Sequence, residues 1–145
     1  MDYQIERSVE IKAPLQRVWT ALTDYCEFGK WFHVDLDQPF EEGHVSTGRM
    51  TYPGYEGYPW KAIIEKIQPE SLFAFSWSHE DQDVEGSTRV EFHLQPQGNG
   101  TLLTVKESGF EALPEDARLR ILRSNEKGWK IQTENVRNYL EQRTQ

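Results

Sequence analysis

From about residue 36 to residue 109, Gly and Pro cut the chain into short alternating runs; a single helical pattern then continues from about residue 115 to about residue 142. Gly43, Pro53-Gly54, Gly57, Pro59, Pro69, Gly86 and Gly98-Asn99-Gly100 punctuate the first region. Strand-like runs lie between them at roughly 44–52, 60–67, 71–79, 87–96 and 101–109, with another short piece near 35–40. Phe73, Phe75 and Trp77 share one face of their run. Val90, Phe92 and Leu94 share a face of the next, with Arg89, Glu91 and His93 opposite. Leu103 and Val105 lead the inner face of the last run. Strands joined this closely predict an antiparallel meander rather than βαβ units.

The start of the chain adds one strand and two short helices. Tyr3, Ile5, Val9 and Ile11 alternate with Asp2, Gln4, Glu6, Ser8, Glu10 and Lys12, so residues 2–12 read as a half-buried strand, with Arg7 on its apolar face. Pro14 suits a first helical position, and Leu15, Val18, Trp19 and Leu22 follow at helical spacing. Asp24 with Glu27 three residues on resembles a capping pair for a second helix carrying Phe28, Trp31 and Phe32. Leu113-Pro114-Glu115-Asp116 opens the last helix with acids at its positive end. At ~1.5 Å per residue it spans about 40 Å. The predicted fold class is α+β. No repeat, low-complexity tract or linker interrupts residues 1–145, which read as one domain.

A net charge of −8 opposes a whole-chain attraction to nucleic acid or to an anionic bilayer. Arg118, Arg120 and Arg123 are interleaved with apolar residues and read as a solvated helix flank. No run approaches the ~20 apolar residues of a membrane helix. The start, Met1-Asp2-Tyr3-Gln4, has no basic region and no apolar run, so no signal peptide is expected. Cys26 is the only cysteine, which suits a reducing compartment, and the cytoplasm is the expected location.

The long helix is the most informative element for function. With Trp129 at the centre of a 100°-per-residue wheel, Leu122, Asn125, Glu126, Gln132, Thr133, Val136 and Leu140 fall within about 60° of it. The stripe is apolar at both ends and polar in the middle. Unpaired buried polar groups are costly, so this pattern predicts a helix overlooking a partly hydrated cavity. The bland alternative places Asn125 and Gln132 at the margin. Gly128 costs about 1 kcal/mol relative to Ala in such a helix; close approach of a neighbour or a local bend would explain it.

Several segments together resemble a known family. They are Ala13-Pro14, then Val18-Trp19-Thr20-Ala21-Leu22-Thr23-Asp24, then Lys30-Trp31-Phe32. Ile64-Glu65-Lys66-Ile67-Gln68-Pro69 and Leu72-Phe73-Ala74-Phe75-Ser76-Trp77 follow. Thr101-Leu102-Leu103-Thr104-Val105 runs into Glu107-Ser108-Gly109-Phe110, and the helix carries Gly128-Trp129, Asn135-Val136 and Tyr139-Leu140-Glu141. In this order, across nearly the whole chain, they resemble the START-like (SRPBCC) superfamily, in the branch related to the C-terminal domain of the activator of heat shock protein 90 ATPase. The resemblance implies a helix-grip fold: a curved antiparallel sheet of about six to seven strands wrapped around a long C-terminal helix, with two short helices after the first strand. It also implies an internal cavity for small, mostly apolar ligands. Relatives include lipid and hormone binders, polyketide cyclases and co-chaperone domains with a place in the stress response. This chain departs from many relatives at Thr133, where they carry an aliphatic residue, and in the aromatic loop Tyr52-Pro53-Gly54-Tyr55-Glu56-Gly57-Tyr58-Pro59-Trp60.

On that fold, Trp31, Phe32, Tyr52, Trp60, Phe75, Trp77, Phe92 and Trp129 converge between sheet and helix, with Asn125, Thr133 and Val136 facing them. The functional reading is a pocket with apolar walls and a few polar anchors; the competing one is an ordinary core. Parity places Arg7 and Glu107 inside on neighbouring strands, as a ligand-orienting pair or as a structural ion pair. His79 shares parity with Trp77 and is the best candidate for a general base. His33 with Asp35 and Asp37, and His79 with Glu80, Asp81 and Asp83, look ligand-like but lack metal-site spacing. No nucleophilic triad, phosphate loop or zinc pattern is present, and no cofactor is expected. The expected function is binding of a small apolar molecule (a flavonoid, polyketide or lipid) rather than catalysis. A cyclase or dehydratase using His79, Glu107 or Glu126 is one alternative. A co-chaperone-like domain acting on heat shock protein 90 is the other, although the chain lacks the long N-terminal part of the full co-chaperone.

Overall fold

A computed structural model describes residues 3–79 and 84–142. Asp2, Glu80, Asp81 and Asp83 lie outside the described residues. The elements are β1 (Ile5–Ile11), α1 (Leu15–Thr23), α2 (Tyr25–Phe32), β2 (Val34–Leu36), β3 (Val45–Met50), β4 (Pro59–Gln68), β5 (Leu72–His79), β6 (Val84–Gln97), β7 (Gly100–Ser108), a 3₁₀ turn (Phe110–Ala112) and α3 (Glu115–Gln142). The fold is α+β, and the seven strands form one antiparallel sheet in the order β1-β7-β6-β5-β4-β3-β2. β2 to β7 follow one another as a meander, and β1 adds to its β7 edge, pairing Ile5 with Glu107 and Ile11 with Thr101. This is the predicted helix-grip arrangement.

Local chemistry sets the boundaries. Pro14 caps α1 with ψ of 153° and the helix begins at Leu15, one residue later than expected. The Asp24 carboxylate accepts from the backbone N–H of Cys26 and Glu27 at 2.9 and 3.2 Å, so it caps α2. Glu27 bonds Arg17 and Tyr139, tying α2 to α1 and α3. His33 stops α2 in the left-handed region at φ 67°. Gly98 supplies the positive φ at the first central position of the β6–β7 turn, as a type II′ hairpin requires.

The inner face of the sheet packs on α1, α2 and α3. Val18, Leu22, Phe28, Ile64, Phe73, Phe75, Val90, Phe92, Leu103, Val105 and Ile121 are buried. Residues of opposite parity form charged clusters on the outer face, where Arg89 meets Glu65 and Glu91, and Glu91 also bonds His93. Gln132 of α3 donates to the Phe32 carbonyl at the end of α2 (2.9 Å), which fixes where the long helix crosses the sheet.

Candidate functional site

The polar groups of the interior converge on Glu107. Alternation along β7 turns it inward with Leu103 and Val105, and it is 0% exposed. Its Oε2 accepts from Trp77 Nε1 (2.9 Å), Thr88 Oγ1 (2.5 Å) and Asn125 Nδ2 (2.9 Å). Its Oε1 accepts from Trp129 Nε1 (2.8 Å). These donors come from β5, β6 and α3, so the carboxylate ties the sheet to the helix. Burial pushes the Glu107 carboxyl above the usual range, and the four hydrogen bonds pull the other way.

A second buried polar group extends this network. His79 is 2% exposed and its Nε2 lies 2.8 Å from Thr88 Oγ1. Thr88 gives its proton to Glu107, so His79 Nε2 carries the proton in their shared bond. Burial lowers the imidazole to about 4, which keeps His79 neutral at neutral pH.

Aromatic rings enclose the carboxylate. Trp77 and Trp129 stack with centroids 5.6 Å apart. Phe32, Trp60 and Phe92 pack on one or the other at 5.7–6.2 Å. Phe28 is a hub beneath them, touching Trp31, Phe32, Phe40, Trp60 and Phe92. Trp31, Phe32, Trp60, Phe75, Phe92, Trp129 and Val136 are buried; Trp77 is half-buried and forms the edge of the shell.

The structure therefore brings together most of the expected residues but in a different state. The rings fill the space between sheet and α3. The polar stripe of α3 faces protein partners instead of a hydrated cavity: Asn125 bonds Glu107, Gln132 bonds Phe32, and Thr133 donates to the Trp129 carbonyl at 2.7 Å. Glu126 is exposed and so is not an interior acid. Tyr52 stands apart in the β3–β4 loop, against His33 and Tyr55.

The expected Arg7–Glu107 pair does not form. Both side chains lie on the inner face, but the register pairs Arg7 with Val105. Glu107 is already supplied with donors, and Arg7 Nε donates to Thr133 Oγ1 on α3 at 3.0 Å. Close approach does not explain Gly128, because a Cβ there would meet nothing within 4 Å. The sequence does not single out Thr88, and it places Phe28 on the second helix but not among the pocket residues. Thr88 shares parity with Val90 and Phe92, which is the pattern that marks it as inward.

Two clefts open at the rim of the fold. One, of about 390 Å³, lies between β1 and α3 and is lined by Ile5, Glu6, Arg7, Arg123, Glu126, Lys127 and Lys130. The other, of about 580 Å³, surrounds the β6–β7 turn and the end of α3, with Glu10, Lys12, Gln97, Arg137 and Glu141 in its wall. Among the described residues no group of three or more His, Cys, Asp or Glu side chains is placed to hold a metal ion. Among them, too, no helix is long and apolar enough to cross a membrane.

Similar folds occur in solved structures. A protein from Mesorhizobium loti superposes with a TM-score of 0.81 at 23% identity, covering 98% of each chain. DynU16, a protein of the dynemicin biosynthetic locus, gives 0.76 at 24% identity over 97% of this chain, which spans about half of that one (48%). The Aha1 dimer from Colwellia psychrerythraea gives 0.75 at 17%, over 95% of this chain and 96% of that one. At these identities the likeness establishes the shared fold. No curated protein matches the chain by sequence. The profile of the family described as Activator of Hsp90 ATPase homolog 1-like protein matches residues 12–141. The chain belongs to that family, within the START-like superfamily.

Proposed function

We propose that the protein binds a small, largely apolar molecule between the sheet and α3, with the Glu107 network as its polar anchor. The observation that carries this reading is a wholly buried carboxylate that meets four uncharged donors inside an aromatic shell. Apolar walls with a few convergent polar groups are the usual form of a small-molecule site. The shell is packed as it stands, so an occupant has to displace side chains. Trp77 is the ring to move: it is half-buried at the edge of the shell, and its indole bonds both Glu107 and Thr88. A hydroxylated ring system, such as a flavonoid or a polyketide, would replace the indole N–H with its own O–H.

Membership of DynU16 in a biosynthetic locus is compatible with a role toward a small organic molecule. Binding is favoured over catalysis because both oxygens of Glu107 are engaged and His79 is neutral and bonded to Thr88. The single cysteine, Cys26, is exposed and free, which fits the reducing cytoplasm we propose as its location.

Native mass spectrometry of the freshly purified protein, with thermal-shift titration against a flavonoid, a fatty acid and a sterol, tests the reading. One class should raise the melting midpoint saturably, by the equivalent of ~2.7 kcal/mol at 100 times its dissociation constant. An apo mass alone, with no shift from any class, would reject it.

A further inference from the structure

The cleft between β1 and α3 carries an unusual charge for this chain. Acids outnumber bases overall, giving a net charge of −8, yet the cleft holds four cations, Arg7, Arg123, Lys127 and Lys130, against two carboxylates. Glu6 lies 4.0 Å from Lys106 on the neighbouring strand, so its charge is shared away from the cleft. No ion pair to any of the four cations is found among the described residues.

The cations are arranged by the fold. Arg123, Lys127 and Lys130 recur at helical spacing along the edge of α3 beside its buried face. Arg7 reaches them from β1 and is held at its base. Thr133, 2% exposed, gives its own proton to the Trp129 carbonyl at 2.7 Å, so its oxygen is an acceptor, and Arg7 Nε donates to it at 3.0 Å. Anchoring by Nε leaves the two terminal nitrogens of the guanidinium for another partner, and a planar fork of that kind suits a bidentate oxyanion. Thr133 acts here as a positioning residue, which gives a reason for a hydroxyl at a site where an aliphatic side chain would otherwise pack.

We infer that this cleft is a binding site for a small molecule bearing a phosphate-type dianion. Its volume of about 390 Å³ leaves room for an organic body against Ile5 as well as the anion against the cations. A long polyanion is disfavoured by the repulsion of an acidic chain. The site is distinct from the interior reading above and does not depend on it.

Calorimetric titration with phenyl phosphate, inorganic phosphate and neutral phenol at low salt tests the inference. Phenyl phosphate should bind saturably and phenol should not. Inorganic phosphate binding as tightly as the ester would name free phosphate as the source. Replacing Lys127→Gln with Lys130→Gln should weaken phenyl phosphate by about tenfold or more. Thr133→Val should weaken it while the melting midpoint stays within a few degrees. Lys61→Gln with Arg120→Gln removes two exposed cations elsewhere and should change nothing. Absence of saturable binding, or equal losses in the two double variants, would overturn the site.

Discussion

Glu107 gathers four donors on two oxygens, and no isosteric replacement keeps all four. In Glu107→Gln, the amide NH₂ must face either Trp129 Nε1 or the three donors at Oε2, so donor meets donor inside the protein. The variant should unfold at lower denaturant, by about 1–3 kcal/mol, with altered near-ultraviolet dichroism from Trp77 and Trp129; an unchanged midpoint would mean the network contributes little. His79 gives a pH signature. Its folded value of about 4 lies below the usual 6.5, so the unfolded chain takes up this proton first. Its stabilisation is complete above pH 6.5 and drains away as pH falls toward 4. Glu107 acts with the opposite sign: its raised value favours the folded state at low pH, and that contribution is lost as pH rises through the folded value. Urea midpoints measured from pH 4 to 7 should therefore show a fall toward acid that His79→Gln reduces; parallel curves for the two proteins would contradict the assignment. Strand parity was enough to turn Arg7, His79 and Glu107 inward. It could not pair them, because partners depend on strand stagger and on the axial position of α3, and those follow from contacts such as Gln132 to Phe32 that are remote in sequence.

At the scale of elements, two glycines separate propensity from packing. Gly128 is helical with nothing near its missing side chain, so Gly128→Ala should raise stability by up to about 1 kcal/mol. Gly48 lies on β3 where a Cβ would run into the Asp35 carbonyl oxygen of β2. Gly48→Ala should cost about 1–3 kcal/mol, and chemical denaturation of the pair should give opposite signs. Equal signs would mean that the local account of one of the two sites is wrong. The strands from β3 to β7 were legible because Gly and Pro punctuate the region and the inner faces alternate, as in Val90, Phe92 and Leu94, although Gly86 lies inside β6 instead of ahead of it. The 3₁₀ turn at Phe110–Ala112 was not legible, since three residues carry no period. The stripe of α3 points to water on the sequence alone because a wheel gives the direction of Asn125 and Thr133 but not what stands opposite them.

For the molecule as a whole, the sheet and the three helices meet on one hydrophobic core rich in aromatic rings, and the buried Glu107 carboxylate bonds two of its indoles. A core made only for stability has no need of a buried Glu supplied by two indoles, a hydroxyl and an amide, since burying such a group is costly even when it is bonded. Trp77 and Trp129 are stacked on each other and share Glu107, so a ligand of the proposed kind would act on both together. The most direct measurement is a nitrogen-edited magnetic resonance titration of the indole N–H signals with a flavonoid such as naringenin. The Trp77 and Trp129 signals should move together and saturably while the other indoles move less; if both stay fixed while the folded protein is exposed to millimolar-range ligand of each class tried, the interior is a core and not a site.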